Sequence, residues 1–249
     1  MYECFWPTNA PTLCKRVVAV HNGVTIISSQ SGDEFLFHQY DDTYLRSGWR
    51  GKLNLVGGSH SSDDVSPSDI VQREINEEFS SETPDYELSD QSCAAHHLKR
   101  FAAIEDIKKI RDEILYSLKP FGDFYAFLPL FEKIQGKEDD IKNPCHAIYS
   151  VFSAIVPDSV MNLARRCLAA GQEIRNEGIT VIKRLEELDN TGSWSAAATG
   201  LILQDYLMHY PLCVPNPAHI HIERIGMPRV LLEQYLEDFQ YNRPVRICT

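Results

Sequence analysis

Short apolar stretches separated by turn residues occupy the first sixty positions and predict strands. Residues 16–20 and 24–28 are rich in β-branched side chains, and Asn22-Gly23 between them is a common two-residue hairpin signal. Residues 34–38 predict another strand, and residues 49–56 lead into a double glycine. This part of the chain is therefore expected to form several strands, the first two joined as a hairpin.

Helical spacing of apolar residues begins directly after the double glycine. Val71, Ile75 and Phe79 recur every four positions, which places them on one side of a helix over about residues 68–80. Ser66 is a candidate N-cap and Pro67 a favoured first helical residue. An amphipathic helix is thus expected to follow the glycine loop.

The rest of the chain alternates the two patterns. A long segment, residues 81–144, must contain structure of its own, because ordinary connections are much shorter. The expected elements are a helix over 104–118, an aromatic strand or pocket edge over 121–131, a core strand over 147–156, a helix over 159–170 capped by Asp158 and ended by Gly171, a strand over 178–185, an acidic turn over 186–188, a core helix over 195–209, a strand near 219–221 and a helix over 230–239.

Size and charge restrict the class of protein. A chain of 249 residues with 43% hydrophobic residues can bury a sizeable core, and we expect one enlarged domain over 1–249. The net charge of −11 argues against a general nucleic-acid binder, because phosphate backbones require Lys and Arg.

The sequence has no apolar run of the ~20 residues that a membrane span requires and no signal-peptide core, which predicts a soluble, cytoplasmic protein. Its seven cysteines have no Cys-x-x-Cys spacing and are expected to be free thiols.

Three carboxylates in the helix after the glycines are the strongest chemical signal. At about 100° per residue, Glu74 and Glu78 lie about 40° apart on the helix, and Glu77 lies about 60° to the other side of Glu74. Like charges on one face repel unless a cation lies among them. Carboxylate oxygens are the ligands that Mg²⁺ and Mn²⁺ prefer. The pattern indicates a divalent-metal site. The alternative interpretation is a charged helix face that is simply exposed to solvent.

These residues resemble the sequence box of the Nudix hydrolases. Gly58, Arg73, Glu74, Ile75, Glu77 and Glu78 match the box. The spacing from glycine to arginine is one residue longer than in the family pattern, and Ser80 and Ser81 replace its final glycine and aliphatic residue. With the insertion, Asp64 takes the place of the first glutamate of the box; without it, Val65 does. The resemblance covers about residues 15–209 in outline, with 81–144 as an insertion and 210–249 as a C-terminal extension.

The resemblance implies an α/β fold in which a mixed sheet is packed between helices, and metal-assisted attack of water on a diphosphate linkage in a small nucleotide. By the same resemblance Glu74, Glu77, Glu78 and the Gly58 carbonyl would hold Mg²⁺ or Mn²⁺, while Arg73 would orient a box carboxylate. Glu74, Glu77 and Arg73 are expected to serve in catalysis as well.

Other candidate site residues lie outside the helix. Gly57 and Gly58 would contact substrate, and Trp49 is either a base-stacking side chain or ordinary rim material. By the resemblance, Glu177 is a candidate general base or an additional metal ligand, and an exposed loop charge is the alternative.

The departures from the box leave a second interpretation open, a Nudix-fold nucleotide-binding or regulatory protein with weakened turnover. The intact carboxylates favour the enzyme. The apolar face of the helix over 230–239 could cover a second copy of the chain as readily as the core, so a homodimer is also open.

Overall fold

The computed structural model describes residues 2–6, 14–42, 44, 49–82, 99–128, 145–189, 194–196, 198–208, 212 and 221–225. The strands are β1 Tyr2–Trp6, β2 Cys14–Ser29, β3 Glu34–Gln39, β4 Leu53–Asn54, β5 Val56–Ser59, β6 Leu118–Leu128, β7 Cys145–Val156, β8 Ile179–Arg184 and β9 His221–Ile225. The helices are α1 Pro67–Glu78, α2 Ile104–Ser117, α3 Asp158–Ala169, α4 Leu185–Asp189 and α5 Thr199–Leu207.

The strands form one mixed sheet. Its main path runs β4-β3-β2-β7-β6-β9, while β1 and β5 also pair with β2, and β8 pairs with β3. The β2–β7 pair is parallel and the other pairs are antiparallel. Long β2 therefore organises the sheet, because it contacts four other strands.

Helices cover both faces of this sheet. Strand residues alternate between two apolar clusters, as Ile26 and Ile27 of β2 illustrate, because successive side chains point to opposite faces. One cluster includes buried residues of α1, α2 and α3. The other includes Trp194 and buried residues of α4 and α5. The predicted fold class, an α/β fold with a mixed sheet between helices, is confirmed. In the described ranges no helix is long and apolar enough to cross a membrane.

The predicted hairpin at Asn22-Gly23 is wrong, because β2 continues straight through it. Gly23 pairs with Gly58 of β5 on one side and with Ser150 of β7 on the other. A Cβ atom at Gly23 would lie 2.8 Å from Cγ2 of Ile70 and 2.9 Å from Cγ2 of Val71, both in α1. The glycine therefore allows α1 to approach the sheet closely, which a local turn pattern does not reveal.

Most other elements match their predictions within a few residues, but β1 had no predicted counterpart and the predicted acidic turn over 186–188 lies in a short helix, α4. The aromatic segment of the insertion is a strand, β6, and the last core helix, α5, is shorter than expected at both ends. Asp158 does not cap α3: Pro157 is the N-cap residue, and the Asp158 carboxylate accepts a hydrogen bond from the Ser31 backbone N–H at 3.2 Å. The predicted helix over 230–239 lies outside the described residues, so the homodimer it suggests stays a prediction, as does the division into core, insertion and extension.

Candidate functional site

Two glycines of β5 bring the sheet into contact with α1. Gly57 has a φ of +137°, and a Cβ atom there would lie 2.1 Å from the Gly23 carbonyl oxygen. A Cβ atom at Gly58 would lie 2.4 Å from the Glu74 carboxylate carbon. Only glycine at both positions lets the backbone pass this close. The Glu74 carboxylate consequently lies directly against the Gly58 backbone.

The start of α1 is fixed by a capping box. The Ser66 hydroxyl accepts from the Asp69 backbone N–H at 3.3 Å, and the Asp69 carboxylate accepts from the Ser66 backbone N–H at 2.8 Å. Pro67 is the first helical residue. Because Ile70 and Ile75 are buried against the core, the edge of the helix that carries the box carboxylates is fixed in place.

Arg73 connects the loop before α1 to the helix. Its guanidinium donates two hydrogen bonds to the Asp64 carboxylate, from Nε at 3.1 Å and from Nη2 at 3.0 Å. It also pairs with Glu74 at 2.8 Å and with Glu77 at 3.1 Å. Asp64 is 3% exposed, whereas Val65 is 68% exposed. The structure thus places Asp64, not Val65, opposite Arg73, and the loop absorbs the extra residue.

Glu78 is held differently from the other box carboxylates, by a residue that the sequence analysis did not select. Arg175, which is fully buried, donates from Nη2 to the Glu78 carboxylate, and Glu78 itself is 3% exposed. The same Nη2 lies 3.1 Å from Nδ1 of His38, and the guanidinium lies over the Phe79 ring at 5.7 Å. Burial first, then Arg175 and Lys99, keeps the pKa of His38 well below its ordinary value, so the neutral ring accepts this bond.

The segment that carries Arg175 is fastened to the end of α1. The Asn176 backbone N–H donates to the Glu78 carbonyl at 2.8 Å, and the Asn176 side chain donates to the Glu77 carbonyl at 2.7 Å. Lys99 Nζ donates to the carbonyls of Arg175, Asn176 and Gly178 at 3.3, 2.8 and 2.5 Å. These bonds fix the backbone on both sides of Glu177.

Glu177 lies half-buried beside the box carboxylates. Among the described residues it has no hydrogen-bond or ion-pair partner. Its pKa is raised to about 8, first by burial and then by the charges of Glu78, Glu74 and Glu77. The pKa of Glu74 is raised to about 7, first by burial and then by Glu78. Four carboxylates from two segments therefore repel one another across a shared space.

The donor atoms suit a hard divalent cation, since carboxylate and carbonyl oxygens are the usual ligands of Mg²⁺ and Mn²⁺. The mutual repulsion of these carboxylates is relieved by such a cation. Within the described ranges, however, no three His, Cys, Asp or Glu side chains already converge on one point. The types of donor atom fit such a metal, although the described side chains are not arranged around one point.

Trp49 belongs to an aromatic group next to this site. Its ring is nearly parallel to that of Tyr44, with centroids 6.1 Å apart, and lies 5.4 Å from the Tyr40 ring. Tyr40 contacts His38 edge-on at 4.7 Å, and His38 contacts Arg175. The aromatic group is thus linked to the carboxylates through two residues, while substrate binding by Trp49 stays a prediction.

The raised pKa of Glu177 predicts a pH dependence of stability. The folded protein retains a proton, up to about pH 8, that an unfolded carboxyl with a pKa near 4.5 releases. The contribution of Glu177 is most favourable below about pH 4.5 and is lost as the pH rises through about 8. Glu177→Gln, which does not titrate, is expected to become steadily more stable than the native chain from about pH 5 to about pH 8, measured by urea denaturation with a chelator present.

Glu187→Gln is the control for this measurement. Glu187 is exposed, and its pKa is lowered mainly by the hydrogen bond from the Arg184 backbone N–H. Its carboxyl is ionised in both folded and unfolded states above about pH 5, so its difference from the native chain should stay constant there. A constant difference for Glu177→Gln as well would contradict the raised pKa.

Comparison with solved structures finds several similar chains, including the following three. No family model and no curated protein matches the sequence. A mutT/nudix family protein from Listeria innocua is 17% identical, covering 78% of this chain and 99% of its own, with a TM-score of 0.35. A MutT protein from Bacillus halodurans is 12% identical, covering 82% and 97%, with a TM-score of 0.37. A MutT protein from Methanosarcina mazei Go1 is 15% identical, covering 90% and 94%, with a TM-score of 0.32. Each of these three structures is similar to this chain at low sequence identity and with a TM-score no higher than 0.37.

Proposed function

We propose that the protein is a metal-dependent hydrolase that cleaves a diphosphate linkage in a nucleoside diphosphate derivative or a related small nucleotide. The observation that carries this proposal is the group of four carboxylates, Glu74, Glu77 and Glu78 from α1 and Glu177 from a separate segment. Burial first, and then the negative charges of neighbouring carboxylates, raise the pKa values of Glu74 and Glu177. Carboxylates gathered in this way are costly to a fold unless they serve a cation.

Glu74, Glu77, Glu78 and the Gly58 carbonyl would hold Mg²⁺ or Mn²⁺. When bound there, the metal would neutralise phosphate oxygens and lower the pKa of a water molecule. The close contact between Glu74 and the Gly58 backbone supports this assignment, because it brings a carboxylate and the loop that carries the carbonyl together. The backbone of Gly57 and Gly58 would also contact substrate, with Trp49 stacking on its base.

Arg73 and Glu177 have separate roles in this proposal. Arg73 positions Glu74 and Glu77 by pairing with both, while Asp64 holds the guanidinium from the other side. The Glu177 carboxylate, which has no protein partner among the described residues, would accept the proton of the attacking water. Positive charge nearby would lower its pKa from about 8 and leave it ionised near neutral pH.

Product release from a panel of nucleotides tests the proposal. The panel contains nucleoside diphosphate sugars, ADP-ribose, dinucleotide cofactors and nucleoside triphosphates, each with Mg²⁺ or Mn²⁺ and each repeated with excess chelator. Cleavage of at least one substrate is expected, and it should disappear with the chelator. Cleavage that persists in chelator would contradict a metal-dependent reaction.

One observation favours the second candidate, a nucleotide-binding or regulatory protein. Glu78 is already engaged by buried Arg175, and this pair opposes metal loading. In that case the panel would show binding of one nucleotide without its cleavage, with or without metal.

A further inference from the structure

Arg175 is the most unusual charged residue of the described chain, because its guanidinium is fully buried beside the proposed metal site. Of its donors, Nη2 contacts Glu78 and His38. Nε and Nη1 have no hydrogen-bond partner among the described residues. A buried guanidinium with two unsatisfied donors costs folding free energy. Hydrogen-bond satisfaction therefore does not account for its place in the fold.

The location of Arg175 relative to the box carboxylates indicates its role. Arg73 lies at the exposed edge of the carboxylate group and forms ion pairs with Asp64, Glu74 and Glu77. Glu78 is paired with a different residue, Arg175. Glu78 is more deeply buried than Glu74 and Glu77, so its negative charge requires a partner inside the protein. Arg175 supplies a positive charge at the carboxylate where a divalent ion would supply it in the loaded protein.

We propose that Arg175 is a resident cation of the metal-free site, which neutralises Glu78 until a divalent metal ion displaces it, so that Arg175 sets the affinity for metal. This inference rests on the proposed function, since it takes Glu78 as a metal ligand. Arg175 keeps other contacts when Glu78 is released, because neutral His38 accepts from Nη2 and the Phe79 ring lies beneath the guanidinium. Displacement by the metal ion therefore does not leave the charge of Arg175 buried without any contact.

A purely structural role makes the opposite prediction for metal binding. If Arg175 only joins its segment to α1, its loss loosens Glu78 and weakens metal affinity. If Arg175 competes with the metal, its loss strengthens metal affinity although it destabilises the metal-free fold. The sign of the change in metal affinity therefore separates the two roles.

The test is calorimetric titration of Mg²⁺ into the native chain and Arg175→Met, at about pH 9 so that protons compete little for the carboxylates. Arg175→Met is expected to bind Mg²⁺ about tenfold more tightly, because the ion no longer breaks a charge-assisted hydrogen bond. Its melting temperature in chelator should be lower than that of the native chain, and its rise on adding Mg²⁺ should be larger. Arg165→Met is the matched control, because Arg165 pairs with Glu34 away from the site, and its Mg²⁺ affinity should equal the native value.

Each other outcome has a definite meaning. If the native chain binds Mg²⁺ and Arg175→Met binds it equally or more weakly, Arg175 is structural and the inference is overturned, while the proposed function stands. If neither protein binds Mg²⁺, both the inference and the proposed function fail. If Arg175→Met does not fold, Arg175→Gln replaces it: a glutamine removes the charge but keeps an N–H donor, and a Mg²⁺ affinity no tighter than native would overturn the inference.

Discussion

Under the proposed function, Glu74→Gln is expected to lower metal-dependent product release by about 100- to 1,000-fold, because it would remove a charged ligand from the proposed metal site. Glu74 is the best position for this test. Its carboxylate lies against the Gly58 backbone, and the substitution keeps the size of the side chain. It should also stabilise the metal-free fold slightly, since a carboxyl with a pKa raised to about 7 is replaced by a neutral amide.

Glu105→Gln is the control for Glu74→Gln. Glu105 is an exposed glutamate in the first turn of α2, and it lies outside the carboxylate group. Its turnover should equal that of the native chain on the best substrate of the panel. Full activity in Glu74→Gln, with normal metal dependence, would remove Glu74 from the proposed site.

Glu78→Gln is expected to destabilise the metal-free protein by about 3 to 5 kcal/mol, because it leaves the guanidinium of Arg175 buried without a counter-charge. The neutral amide can still accept one hydrogen bond but cannot compensate the charge. Urea denaturation in chelator measures this change. The loss of stability also explains why activity lost in Glu78→Gln alone would not identify a metal ligand.

Glu77→Gln provides the comparison on the same helix. Glu77 is 47% exposed and pairs with Arg73 at the surface, so its substitution should cost no more than about 1 kcal/mol. Equal losses in Glu77→Gln and Glu78→Gln would show that the Arg175–Glu78 pair contributes nothing special to stability.

Local sequence signals predicted the elements whose structure depends on neighbours in the chain. The start of α1 follows from Ser66 and Pro67, both of which act within one turn of the helix. The spacing of the sequence box allowed either Asp64 or Val65 to take the position opposite Arg73. Burial of Asp64 decides between them, and burial depends on how the loop packs rather than on residue count.

Contacts between distant segments were not predictable in the same way. Gly23 looked like a turn residue, yet it is required by the packing of α1 against β2. Arg175 meets Glu78 across 97 positions, and Lys99 meets Gly178 across 79. No local pattern marks either residue. Glu177 was selected by resemblance alone, and its effect depends on contacts that only the fold creates.

The most direct test of the central claim is anomalous diffraction from crystals of the native protein grown with Mn²⁺. The account predicts one strong peak among Glu74, Glu77 and Glu78, about 2.2 Å from at least two carboxylate oxygens, with Arg175 no longer paired to Glu78. A crystal with saturating Mn²⁺, no peak at these residues and an intact Arg175–Glu78 pair would contradict a metal site on α1.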